Sequence, residues 1–159
     1  MESPVKLHRY AIEMDWTGND GAGTATYKSY RRDHIIQVKG KPDILGSSDP
    51  GFRGSPERYT PEELLVASLS ACHMLWYLHL CSTNGISVLA YTDAASGEMR
   101  ENEDGSGEFV HVTLRPRVTI AKGGDRIKTL ALHHEAHRLC FIARSVNFPV
   151  ETSAEIIEA

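Results

Sequence analysis

Three cysteines stand in the 159-residue chain, and two of them are placed where thiol chemistry is possible. Cys72 lies inside an apolar helical run, Pro61-Glu62-Glu63-Leu64-Leu65-Val66-Ala67-Ser68-Leu69-Ser70-Ala71-Cys72. Cys140 ends a second helical run, His133-His134-Glu135-Ala136-His137-Arg138-Leu139-Cys140. A buried helical thiol by itself is usually a small hydrophobe. A pair on two helices that can meet is a candidate redox couple, because the thiolate is the nucleophile and the species that is oxidised. Cys81 follows Cys72 by nine residues in the same run. That spacing puts it on the opposite face and about 13 Å along the axis, beyond the roughly 7 Å between Cα atoms that a disulfide spans. Cys81 therefore reads as structural, and Cys140 is the other candidate partner for Cys72.

In mid-helix Cys72 gets no help from free N-terminal amides, and apolar surroundings raise a thiol's pKa. A reactive Cys72 needs a cation brought to it. Arg53 and Arg58, in the loop just before the helix, are the candidates, since a guanidinium keeps its charge at any accessible pH. Glu62, at the second helical position, has two readings: favourable charge at a helix N-terminus, or an anchor for a loop arginine. It lies about 15 Å along the axis from Cys72 and cannot touch that thiol; a neighbouring subunit's Glu62 is the alternative. His133, His137 and Cys140 share a helix face, with His73 and His79 on the other helix. Such a set can bind zinc or nickel, but the glutamate of a zincin motif and a CxxC are both missing. Solvated or capping histidines are the expectation, and no metal site is assigned. Without a GxGxxG or Walker motif no cofactor is expected.

The elements that must position these residues follow from pattern. Leu7–Trp16 alternates loosely and ends at the turn cluster Thr17-Gly18-Asn19-Asp20-Gly21. Strands are expected at about 23–29 and 33–38, making an N-terminal meander. Residues 40–59 are a long loop by composition, and such loops are often functional. Thr60 as N-cap, Pro61 at the first helical position and Glu63 as capping-box acid start a helix that should run to about Cys81, with Gly85 as its C-terminal cap. That helix is apolar on nearly every side, which predicts burial all round; so small a chain does not enclose it alone, so a second subunit is inferred to cover it. Strands at 86–92 and 108–120 are joined by an acidic hairpin connection at 97–107. A second helix at 126–142 carries Leu132, Ala136, Leu139, Cys140 and Ala143 on its core face, and a last strand falls within 149–157. The order β-β-β-α-β-β-α-β lacks strict βαβ alternation and predicts an α+β fold with mostly antiparallel sheets.

Length sets one domain over residues 1–159, large enough to hold a core without staples. A net charge of −4 and no Lys/Arg stripe argue against a nucleic-acid partner. No run of 18 apolar residues is present, so no membrane span is expected. The N-terminus lacks the apolar stretch of a signal peptide. An odd, small cysteine count does not fit a secreted disulfide framework, and a reducing, cytoplasmic location is the expectation.

Thr60-Pro61-Glu62-Glu63-Leu64-Leu65 followed by Ala67-Ser68-Leu69-Ser70-Ala71-Cys72 resembles the NPEEL…AACF helix of the OsmC/Ohr family, the osmotically inducible and organic hydroperoxide resistance proteins. Ala136-His137-Arg138-Leu139-Cys140-Phe141-Ile142-Ala143-Arg144-Ser145 resembles that family's A..CPVS segment. Thr60 stands for the usual Asn, His73 for the Phe after the first cysteine, and Phe141 for the Pro after the second. The resemblance implies an intertwined homodimer of α+β subunits around central helices, and thiol-dependent reduction of organic hydroperoxides. It makes Cys72 the peroxidatic cysteine, Cys140 the resolving one, Glu62 the family glutamate and Arg53 the family arginine, with Arg58 as fallback. It further implies a cycle through thiolate, sulfenic acid and disulfide, recharged by a dithiol reductant such as a lipoyl-bearing protein. Two other readings use the same fold: a binding module holding an apolar small molecule between subunits, and a redox sensor or structural dimer.

Overall fold

The computed structural model describes Met1 and residues 3–159. The chain divides into two compact units, residues 1–64 and 65–159. The first is the expected N-terminal meander with its strands redrawn. β1 (Glu13–Trp16), β2 (His34–Gln37) and β3 (Ile44–Gly46) form one antiparallel sheet in chain order, with Glu13 opposite Gln37 and His34 opposite Gly46. The alternation from Leu7 becomes strand only at Glu13, opposite Gln37 where β2 ends.

The strand expected at 23–29 is instead a series of turns. The Asn19 carboxamide accepts from the backbone N–H groups of Gly21 and Gly23, and the Ser29 hydroxyl donates to Gly23 O at 2.8 Å. Asn and Ser side chains that satisfy the backbone locally compete with a ladder. Tyr27 and Tyr30 serve Arg32, whose guanidinium lies 4.6 Å from the Tyr27 ring centroid and 3.9 Å from that of Tyr30. The stretch 40–59, read as loop, contains β3 and a 3₁₀ turn at Pro50–Phe52. Gly54 is required in this loop because a Cβ there would lie 1.5 Å from Ser48 O.

Asp33 anchors this unit. It is 4% exposed, accepts from Ser55 Oγ at 2.6 Å, and pairs with Arg31 at 2.7 Å and Arg58 at 3.5 Å. Burial pushes its carboxyl up, but the hydrogen bonds from Ser55 and Ser47 and the two guanidiniums outweigh it and hold the group below the usual carboxylate range.

α1 (Pro61–Thr83) begins as its sequence dictates: the Thr60 hydroxyl accepts from the Glu63 N–H at 3.1 Å. It stops where Gly85 takes φ 71° and the Ile86 N–H returns to Cys81 O. Two three-stranded sheets of the second unit receive it. β4 (Val88–Asp93), β7 (Pro116–Ile120) and β9 (Glu155–Glu158) form one; β5 (Ser96–Glu101), β6 (Gly107–Leu114) and β8 (Val150–Thr152) form the other. Each has an antiparallel pair, β4–β7 or β5–β6, and a parallel third strand.

The single strand expected at 108–120 breaks at Arg115, and its halves serve different sheets. Pro116 has no N–H to extend the ladder, and the Arg115 N–H turns to Asp93 Oδ1 at 2.6 Å. The last strand divides in the same way at Ser153-Ala154. The first half of the expected connection at 97–107 is the end of β5, a strand exposed at every residue, and the turn is confined to 102–106. The observed order is therefore three strands, α1, four strands, α2 and two strands.

The burial expected all round α1 is confined, within the chain, to one stripe: Leu69, His73, Tyr77 and Cys81. Leu69 packs with Val112, Leu114 and Val150; Tyr77 and Cys81 pack with Ile86, Val118, Ile120, Ala136 and Ile156. Leu75, off the stripe, is 63% exposed. By length and composition α1 could cross a membrane, with a mean hydropathy of 1.5; its stripe instead forms the core of this unit. Each fully buried aliphatic side chain there contributes roughly 1.5–3 kcal/mol.

α2 (Arg126–Leu139) starts at Asp125, whose carboxylate accepts from the Lys128 N–H. It ends at Leu139, short of the expected Ile142, because Cys140 is extended at φ −63°, ψ 113°. Its buried residues are Thr129, His133 and Ala136, so the expected core face, with Ala136 and Cys140 buried and Leu132 packed beside them, is joined by two polar side chains.

Candidate dithiol site

The site is built where α1 and the end of α2 meet. Cys72 is half-buried on α1 and Cys140, at the C-cap of α2, is 1% exposed. Cys72 is near enough to Cys140 to raise that thiol's pKa, and both thiols are free. Burial pushes the Cys140 thiol up to about 11; the Ala143 N–H, 3.4 Å from its Sγ, pulls the other way, and Cys72 adds to the rise. One thiol is thus open to an oxidant while its partner stays protonated and shielded.

Two further contacts join the helices beside the thiols. His73 Nε2 and His133 Nδ1 share a 2.9 Å hydrogen bond, and the Tyr77 hydroxyl donates to Thr129 O at 3.1 Å. The His133 ring stacks on Tyr77 with centroids 3.8 Å apart. The two hydrogen bonds pair position 73 of α1 with 133 of α2, and 77 with 129. Both imidazoles are neutral at neutral pH. Burial lowers His73 to about 4, with Asp93 opposing and His137 reinforcing, and lowers His133 to about 3, with His73 reinforcing. Asp93 is fixed by the Ser70 hydroxyl at 2.6 Å.

Of the predicted site residues, the structure brings Cys72 and Cys140 together. Arg53, Arg58 and Glu62 belong to the first unit. Arg53 is exposed, follows the 3₁₀ turn at φ 66°, and lies 6.0 Å from the Tyr27 centroid. Arg58, the fallback, is committed to Asp33 and to His34 O. Glu62 is half-buried in the first turn of α1. Cys81 is enclosed, and burial raises its thiol's pKa although Tyr77 opposes.

His73 and His133 were expected as solvated or capping residues; they are a buried pair. The signal was available in polar residues recurring at helical spacing on both core faces, His73 and Tyr77 on α1 and Thr129 and His133 on α2. Among the described residues no three His, Cys, Asp or Glu side chains gather as a metal site would need.

A two-helix dithiol site on α+β sheets of mixed direction defines a class of thiol protein, and the comparisons give the family. The OsmC-like protein family model matches residues 54–155, and this chain belongs to that family. The structure of an OsmC-like protein of unknown function from Vibrio cholerae O1 biovar eltor is similar at 32% identity and TM-score 0.83, over 94% of this chain and 100% of that one. An organic hydroperoxide resistance protein from Elizabethkingia anophelis, with thiocyanate bound, shares the fold at 18% identity and TM-score 0.68, over 97% and 100% of the two chains. The organic hydroperoxide resistance protein OhrB of Bacillus subtilis does so at 19% identity and TM-score 0.57, over 92% and 98%. Among curated proteins none matches the chain.

Proposed function

We propose that the chain is a thiol-dependent peroxidase for organic hydroperoxides, working as a homodimer in a reducing compartment such as the cytoplasm. The observation that carries this reading is the pairing of a half-buried Cys72 with a buried Cys140 across two helices. In the first step the Cys72 thiolate attacks the hydroperoxide. A sulfur–oxygen bond forms, the O–O bond breaks, sulfur is oxidised to sulfenic acid, and the departing alkoxide takes a proton to leave as alcohol. Cys140 then attacks the sulfenic sulfur, forming the disulfide and releasing water. A dithiol, such as the lipoyl group of a carrier protein, reduces the disulfide by exchange through a mixed disulfide.

Arg53 is assigned to hold Cys72 as thiolate and Glu62 to anchor that arginine. The backbone of Arg53 supports the choice. Non-glycine residues seldom take φ near 66°, and those that do cluster at functional sites. The exposed apolar side chains of α1, Leu75 among them, support a second subunit as cover. Exposed apolar side chains of α1 such as Leu75 favour a bulky organic peroxide over a small hydrophilic one.

The test is stopped-flow consumption of cumene hydroperoxide, against hydrogen peroxide, by pre-reduced protein with a dithiol present. Fast turnover preferring the organic peroxide is the expected result. A reaction no quicker than that of an ordinary free thiol would overturn the reading and favour the binding module.

A further inference from the structure

The buried histidine pair lies beside the thiols, where the peroxidase cycle as written has no use for it. We infer that His73 and His133 are positioning residues: their bond fixes how far the two helices slide past each other, and so sets how readily Cys72 and Cys140 join. The inference rests on the assignment of those cysteines as a redox couple.

His73 adjoins Cys72 in α1, and His133 precedes Cys140 by seven residues, two turns of α2 on the same face. The two rings meet end to end at 2.9 Å while His133 is also stacked at 3.8 Å on Tyr77. The bond and the stack together resist sliding of one helix along the other. Sliding matters because a disulfide tolerates only about 4.4–6.8 Å between Cα atoms, and one helical turn is about 5.4 Å. Both rings are almost fully enclosed, at 1% and 4% exposure, so neither can exchange its partner for solvent without opening the interface. Desolvation keeps both neutral, which spares the interface a buried charge.

The measurement is the thiol–disulfide equilibrium with glutathione, in which oxidised glutathione and the protein dithiol give the protein disulfide and two molecules of reduced glutathione. It is made at pH 7 in a Cys81→Ala background, so that the one available pair is read. The variants are His73→Leu/His133→Leu, which keeps an apolar filling and removes the bond, and His73→Gln, whose amide can occupy the Nε2 position. Thermal melting is followed alongside. The expected result is a roughly tenfold or greater fall in the equilibrium constant for the double variant, a rise of about 30 mV in reduction potential, with His73→Gln within about threefold of the parent. A folded double variant with an unchanged equilibrium constant would overturn the inference, whatever its melting temperature. Should that variant fail to fold, His73→Phe keeps a flat ring without the bond and is judged by the same two outcomes. A parent that forms the disulfide with glutathione but ignores hydroperoxide would end the peroxidase reading and leave the positioning inference standing.

Discussion

Cys72 is half-buried and within reach of a second thiol, whereas Cys81, nine residues on in the same helix, is 1% exposed among Tyr77, Ile86, Val118 and Ile156. Neither position offers the thiol a free helix N-terminus. What separates them is the neighbour each helix face meets. Cys81 lies on the stripe that packs into the sheets, and burial holds its proton. Cys72 stands beside that stripe, where the end of α2 brings a thiol to it. Packing partners therefore give the two thiols different surroundings, and the strongest tests alter one thiol while leaving the other.

Cys72→Ser should have the largest effect, a loss of roughly 10³-fold or more in turnover, because it deletes the nucleophile itself. The assay is peroxide consumption under excess dithiol; turnover like that of the parent would sink the mechanism. Cys140→Ser should leave the first oxidation intact and stop the cycle there. Mass spectrometry after excess peroxide should find sulfinic and sulfonic acid at Cys72 in place of the disulfide.

Arg53→Gly comes next. Glycine accepts φ 66° without strain, so the variant removes the guanidinium and spares the backbone. Loss of one preorganised electrostatic partner is worth roughly 10²-fold in rate. Raising the pH should recover part of that loss, since alkali supplies the thiolate the arginine otherwise favours. An equal rate at every pH would return Arg53 to a loop role.

The N-cap at Thr60 and the C-terminal turn at Gly85 of α1 were open to reading, because caps are local and each answers an unpaired backbone group. Asp125, at the start of α2, answers in the same way. The breaks at Arg115 and Ser153 were not visible. In each segment the alternation runs through while the sheet changes, and only the tertiary partners, Asp93 for the Arg115 N–H and Leu114 O for the Ser153 N–H, show it. β5 was hidden because both its faces are exposed, which leaves no alternation to find. At the site, Cys72 and Cys140 were legible as a pair of helical thiols. The His73–His133 bond spans 60 residues and joins two side chains that, taken singly, looked like surface histidines.

The stripe that encloses Cys81 also encloses His73, and acid should open it before it touches the Asp33 cluster. His73 and His133 titrate near 4 and 3 in the folded chain, below the ordinary value of about 6.5. The unfolded chain therefore binds more protons between these values, so stability is complete above about pH 6.5 and declines as the pH falls toward 4 and then 3. Facing His73, Asp93 opposes this loss and His137 adds to it. For His73 alone the loss is on the order of 3 kcal/mol. Asp33, also held below its usual value, adds a loss that begins only below about pH 4. Urea unfolding from pH 7 to 4 checks the order. The double leucine variant should lack most of the earlier decline, and an unchanged decline would place it elsewhere.

Cys81→Ala carries the smallest expected effect and tests the comparison from its inert side. The sulfur is packed on Tyr77 and the β4-β7-β9 sheet, so its removal leaves a small void and costs about 1 kcal/mol of stability. The Cys72–Cys140 pair lies in a different part of the helix crossing, and peroxide turnover at 25 °C should stay within about twofold of the parent, since sites without shared partners act independently. Denaturant unfolding and steady-state peroxide consumption on one preparation give both numbers. Lost turnover in a variant that melts normally would mean that Cys81 takes part in the redox cycle. The contrast between the two faces of α1 would then have to be redrawn with Cys81 as a third working thiol.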